Sequence, residues 1–350
     1  MKHSAFRSMF YLLLLVALVV PLVSVAQAQE GILESVEGVV FQGDLVPNEP
    51  IAPAHGDKYV IGLSLEGVDH PFMQSIIADV TAYSEAKGWD LLVTDGGGDP
   101  EKQVAGIEDM VGKGIDLLMV QAAKAAPLKP ILEKLSGQGI PFMFVGKPIK
   151  GTDAFTIVAP DNYYIGQQIG PWIVEQLEAK NGAPTGNIVI VEGIPGDETS
   201  IDRIGGAMDV LKDYPDIKVV AQQPADYRQP QAVTVVSNIL QAHPETIDGI
   251  FAANGDMALG AAVAARDAER LGEFWIIGID CSPEELSGIK AGDETACWAY
   301  KPSGKEASNV VKAYLAGEGS YPVVVSPTYR VDASNVETEK PAWGSVEWQQ

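Results

Sequence analysis

Cysteine is almost missing from this chain: Cys281 and Cys297 are its only two, beside four histidines. No Cys/His spacing of the kind zinc uses occurs, so neither a metal site nor a cofactor is expected. Basic residues are also few, 24 against 47 acidic, for a formal net charge of -23. Such a surface repels nucleic acid and anionic membrane and keeps the protein soluble. No Gly-x-Gly-x-x-Gly follows the first strand, and the glycines in Asp95-Gly-Gly-Gly-Asp-Pro100 come after the second strand in the wrong spacing, which argues against a nucleotide-cofactor enzyme. A Gly-x-Ser-x-Gly elbow is missing too, so a hydrolase has no candidate nucleophile. The paired carboxylates Glu284 and Glu285 read as solvated helix residues. No catalytic residue is nominated, and the chain reads as a binding protein and not an enzyme.

One long apolar run is present, at the start. Lys2 and Arg7 precede an apolar stretch from Met9 to Val23, and Val25-Ala-Gln-Ala28 offers small residues at the positions signal peptidase reads. Residues 1–28 are therefore expected to be a cleaved signal peptide, directing the protein to the periplasm or another extracytoplasmic space. An uncleaved anchor is the rival, and Pro21 and the small-residue site argue against it. Cleavage would remove two basic residues and leave a charge of -25. An exported protein meets an oxidising compartment, where two cysteines can bond.

Residues 29–57 carry Gly, Pro and acids without periodicity and read as an N-terminal tail or linker, with folding proper starting near Lys58. From there strands and helices alternate: strands near 59–65, 89–94, 117–121 and 141–145, separated by single amphipathic helices. The plan restarts after Pro160-Asp-Asn162, with strands near 187–192, 217–222, 249–253, 275–279 and 295–300. Short apolar strands joined by helices give parallel, doubly wound sheets, so the fold class is α/β with two such lobes. The helix from Lys305 and the strands near 323–326 and 329–331 follow the completed second sheet and are free to return to the first.

Four blocks in this order carry a resemblance: Asp69-His-Pro-Phe-Met73, Gln223-Pro-Ala-Asp-Tyr227, Phe251-Ala-Ala-Asn-Gly-Asp-Met-Ala-Leu-Gly260 and Ile277-Gly-Ile-Asp280. Over about residues 58–331 the chain resembles the periplasmic sugar-binding proteins of the ribose and galactose type. The resemblance implies the type I periplasmic binding protein fold, with a multi-stranded hinge crossing near Asp161-Asn162, Lys301-Pro302 and Ser326-Pro327. The N-terminal lobe would be 58–161 plus 301–327, and the C-terminal lobe and tail 162–300 plus 328–350.

The same resemblance nominates a cleft at the carboxyl ends of the strands. Phe72 and Tyr227 match aromatics that can face the apolar C–H side of a sugar ring. Arg203, in Asp202-Arg-Ile-Gly-Gly206, matches a guanidinium able to donate to two ligand oxygens. Asn254 and Asp280 each end an apolar strand and can accept from hydroxyls. Ser282 already looks like the cap of the next helix, which frees Asp280, and Asp256 is a candidate cap that would free Asn254. His70, Gln121, Tyr300 and Glu66 fall at further cleft positions. Lys147 is a further candidate at the cleft, although Gly146-Lys147 departs from the Asp-Arg pair of the ribose binders, which puts ribose itself in doubt. Cys281 and Cys297 can form a disulfide if their strands are neighbours.

These residues point to a monomer that captures a small polyhydroxylated ligand, a sugar or sugar alcohol, and delivers it to an ABC transporter permease. A chemoreceptor or sensor kinase reading the closed lobes is the alternative. A sugar-responsive repressor would need a basic helix-turn-helix where this chain has its leader and an acidic segment.

Overall fold

A computed structural model describes residues 39–339, apart from 123, 245, 246 and 302. The leader read over 1–28, the start of the tail, Pro302 and the last eleven residues lie outside the described residues.

The first sheet begins with β2 (Val60–Leu65), β3 (Asp90–Asp95), β4 (Leu117–Val120), β5 (Phe142–Val145) and β6 (Ile157–Pro160), and is completed by β1 (Val40–Gln42) and β12 (Val323–Ser326). Its order is β1-β12-β6-β5-β4-β2-β3, parallel except for the β1–β12 pair. Helices α1 (Pro71–Lys87), α2 (Pro100–Gly112) and α3 (Ala125–Gly137) make its crossovers. Successive side chains of a strand point to opposite faces. Leu118, Val120, Phe142 and Phe144 accordingly enter one apolar cluster with α2 and α3, while Leu117, Met119, Met143 and Val145 enter the other with α1. A sheet covered on both faces needs strands that are apolar throughout, as these are.

The second sheet runs β13-β11-β10-β9-β7-β8, from β7 (Gly186–Glu192), β8 (Ile217–Pro224), β9 (Gly249–Ala252), β10 (Trp275–Asp280), β11 (Ala296–Tyr300) and β13 (Thr328–Asp332). Its helices are α4 (Asn162–Asn181), α5 (Glu198–Leu211), α6 (Gln229–Ala242), α7 (Gly255–Asp267) and α8 (Pro283–Ala291). Trp172 of α4 meets Trp275 and Trp298 edge-on, with centroids 5.4 and 5.6 Å apart.

After Tyr300 the chain returns to the first lobe, where α9 (Gly304–Leu315) packs on α1 and β12 enters the sheet; β13 then goes back to the second. With the passage from β6 into α4, the chain thus crosses between sheets three times. Two of the crossings are tied together by the buried hydroxyls of Ser303 and Ser326, 3.1 Å apart.

The segment before Lys58 corrects the linker expectation. Val40–Gln42 pairs with Val323–Val325, Ile51 N–H donates to Leu315 O, and Asn48 Nδ2 donates to Tyr314 O. Its own sequence lacks periodicity because its partners are supplied by α9 and β12 near the other end of the chain.

Candidate ligand-binding cleft

All ten nominated residues line one cavity of about 450 Å3 between the lobes. Five come from the first lobe: Glu66 follows β2, His70 and Phe72 open α1, Gln121 follows β4 and Lys147 follows β5. Five come from the second: Arg203 on α5, Tyr227 after β8, Asn254 after β9, Asp280 ending β10 and Tyr300 ending β11. Seven strand ends thus converge at the position where open α/β sheets place their ligands.

Arg203 is 2% exposed and held from three directions. Nε donates to Asn162 Oδ1 at 2.9 Å, Nη1 donates to the Ala253 carbonyl at 2.6 Å, and Nη2 stands 3.9 Å from Asp280 Oδ1. Its guanidinium also lies over the Tyr300 ring, 5.3 Å from the centroid. Small residues bring the supporting helices this close. A Cβ on Gly166 of α4 would stand 2.2 Å from Arg203 O, and one on Gly206 of α5 2.1 Å from Tyr163 O, so backbone meets backbone where Arg203 and Asn162 pair. The helix carrying Arg203 starts at Glu198 because Asp197 caps it by accepting from Thr199 N–H.

Asp280 sits on a strained backbone: its φ is 132°, and that of Cys281 is 53°. Non-glycine residues rarely adopt such angles, so the surroundings must enforce them. The Cys281–Cys297 disulfide lies at this point, bonding the end of β10 to the adjacent β11, with Cα atoms 5.4 Å apart. Burial raises the Asp280 carboxyl above its usual range, against the pull of Arg203 and His70. Oδ2 accepts weakly from Gly255 N–H at 3.3 Å, and Oδ1 has no hydrogen-bond partner. Across the cleft Gln121 Oε1 is likewise buried without one. Burial pushes the phenols of Tyr227 and Tyr300 well up, so both remain donors.

Phe72 packs edge-on to Tyr300, with centroids 5.6 Å apart, joining the aromatic surfaces of the two lobes. Tyr227, on a left-handed turn with Asp226, lays its ring on Gly193, where a Cβ would fall 2.1 Å from the ring. Its hydroxyl donates to Asp197 Oδ1 at 2.9 Å.

Several expectations change. Asn254 and not Asp256 caps α7, Oδ1 accepting from Met257 N–H at 3.0 Å, because it is the residue with extended backbone at the helix entrance. Asp256 instead faces His70 across the cleft, with Oδ2 3.9 Å from Nε2, and burial raises its carboxyl. His70 caps α1, its Nδ1 accepting from Phe72 N–H at 3.2 Å. Glu285 is not solvated: it is fully buried and closes a capping box with Ser282, and burial together with Asp280 raises its carboxyl well above normal. Lys147 is held by protein carboxylates, Glu66 and Asp197.

The sequence reading did not nominate Asn162 or Asp197 for the site. Asn162 had a signal, since it sits at a crossing between lobes. Asp197 had only that of a helix cap.

A model of the periplasmic binding protein domain matches residues 61–319. The chain belongs to the periplasmic binding protein family. Among the family's curated members, a xylitol-binding protein of Mycolicibacterium smegmatis is 32% identical over 240 residues, covering 69% of this chain and 67% of that one. The ribose import binding protein of Bacillus subtilis is 26% identical over 281 residues, covering 80% and 89%. Among solved family members, an ABC transporter solute-binding protein from Mycobacterium smegmatis with bound glycerol superposes with a TM-score of 0.75 at 27% identity, covering 82% of this chain and 99% of that one. One from Actinobacillus succinogenes with bound D-allose gives 0.72 at 28% identity, covering 81% and 100%. The two parallel-sheet lobes are those of the type I periplasmic binding protein fold.

Proposed function

We propose that this chain is an exported solute-binding protein that captures a small sugar or sugar alcohol between its lobes and delivers it to an ABC importer. One observation carries this reading. Gln121 Oε1 from one lobe and Asp280 Oδ1 from the other are buried acceptors without hydrogen-bond partners, and they line the same cavity as the aromatics Phe72 and Tyr300. A buried acceptor left unpaired costs roughly 1–3 kcal/mol, and a ligand rich in hydroxyl donors removes that cost. Relatives that bind xylitol, glycerol and D-allose support the same class. They favour import over the signalling alternative.

The ligand is proposed not to be anionic. Glu66, Asp69, Asp226, Asp256 and Asp280 line the cavity against Lys147, Arg203 and Arg228, and the whole chain is strongly acidic. An anionic sugar acid meets net repulsion there. In the proposed cycle the lobes, 58–161 plus 301–327 and 162–300 plus 328–350, move about the three crossings. Ligand shifts the population toward the closed form because it touches both lobes only there.

The test is a thermal-shift screen of protein beginning at Gln29 and stripped of carried-over ligand, against pentoses, hexoses, polyols, amino sugars and sugar acids. A selective rise with a neutral sugar or polyol, lost in Asp280→Asn, is expected. Folded protein that responds to none of these, or only to the acids, would overturn the assignment.

A further inference from the structure

We propose that Asp197 is a closure residue: with Lys147 and Glu66 it forms an ionic clamp across the cleft that favours the closed arrangement before ligand arrives. Lys147 Nζ lies 3.0 Å from Glu66 Oε1 and 3.3 Å from Oε2 in its own lobe, and 3.0 Å from Asp197 Oδ2 in the other. The three side chains are 25%, 24% and 13% exposed, so the contact is partly shielded from solvent. A charge-assisted bond in such a place exceeds an exposed surface pair. The neighbouring cross-lobe pair, Lys150 with Glu198 at 3.5 Å, is mostly exposed and adds little.

Asp197 is fixed before it meets the lysine. Its Oδ1 caps α5 through Thr199 N–H and accepts from the Tyr227 hydroxyl, which leaves Oδ2 for Lys147. The two carboxyls differ in consequence. Burial outweighs the lysine at Glu66 and raises it, whereas at Asp197 the lysine and the Tyr227 and Ser200 donors overcome burial and lower it. Asp197 is therefore the firmer anion, on the lobe opposite the lysine. Opening the cleft must separate Lys147 from Asp197, while Glu66 travels with Lys147. The clamp thus works through closure, and Lys147 is a positioning residue more than a donor to the solute.

Two variants separate this role from folding. Asp197→Asn keeps an oxygen for the cap and for Tyr227 and loses the charge; asparagine is as good a cap as aspartate. Lys147→Met keeps the length of the side chain and leaves two carboxylates facing each other. Small-angle X-ray scattering of ligand-free protein at low salt is expected to give a more compact particle for the parent than for either variant. The difference should shrink near 1 M NaCl without vanishing, since a partly buried pair is screened less than an exposed one. The inference rests on the binding reading only for its second arm, in which affinity for whichever sugar or polyol the screen selects falls about three- to tenfold in both variants, with the double variant no worse than the single ones. Scattering curves that coincide for folded parent and variants at low salt would overturn the clamp even if the sugar binds as expected. If no sugar binds, the scattering comparison still decides.

Discussion

Arg203 Nη2 stands 3.9 Å from Asp280 Oδ1, near enough for charge to act and too far for a hydrogen bond. Both side chains are buried and both line the cleft. A ligand hydroxyl can accept from the guanidinium and donate to the carboxylate, completing a bridge that the protein alone leaves open. Asp280→Asn removes the charged acceptor and keeps the shape, so titration calorimetry should show affinity falling by about 1.5–3 kcal/mol with a smaller change in stability. Arg203→Ala should do more harm. It strands a buried carboxylate, and denaturant unfolding should record a loss of roughly 3–5 kcal/mol beside the loss of binding.

Glu306 and Asp79 face each other where α9 packs on α1, and each has a buried carboxylate oxygen without a hydrogen-bond partner. Burial raises Glu306 from 4.5 to about 7 and Asp79 from 3.8 to about 6. The folded state therefore binds more protons than the unfolded one between about pH 4 and 7, and stability falls as pH rises through that window. Glu306→Gln should leave the melting temperature nearly unchanged at pH 4 and raise it at pH 8, by the equivalent of ~1–3 kcal/mol. An equal change at both pH values would rule out the titration account.

The Cys281–Cys297 bridge closes a 16-residue separation beside the strained Asp280. Replacing both cysteines by alanine should cost ~3 kcal/mol by the chain-entropy argument. Because the turn is then free to relax, ligand affinity should fall as well. Stability lost with affinity intact would mean that the bridge does not position Asp280.

Gly206→Ala tests the close helix packing without touching the cavity. The added Cβ would lie 2.1 Å from Tyr163 O, forcing α5 away from α4 and shifting Arg203, at an expected ~1–3 kcal/mol of stability and a clear drop in affinity. Gly205→Ala, whose Cβ would have 3.9 Å to its nearest neighbour, is the matched control and should be close to neutral.

The lobes and most strand ends were legible in the sequence, because a parallel sheet buried on both faces must be built from apolar strands and its polar residues then stand out where strands stop. Asn254 and Asp280 were found this way, whereas Phe72 and Arg203, which lie on helices, were found by family likeness. What escaped depended on contacts between distant segments. Asp197 reads locally as a cap, and nothing near it in sequence announces Lys147 fifty residues earlier. Glu285 looks like any acid in a helix until Ser282 N–H and the glycines at 255 and 278 are seen to enclose it. The strand at Val40–Gln42 is too short and irregular to declare itself without β12.

That strand also bears on how the molecule is assembled. Phe41 pairs with Val324, and Val46 exchanges backbone bonds with Ser320. The seventh and sixth strands of the first sheet therefore come from opposite ends of the folded chain, and α1 receives its cover from α9. Closing so long a loop is slow, since its entropy is spent before the contact is made. The second lobe's inner strands are all made before α9 and β12 exist, so the lobe begun first cannot be completed until the core of the other has been synthesised. Pulsed hydrogen exchange should accordingly protect the amides of β9 and β10 before those of β1 and β12.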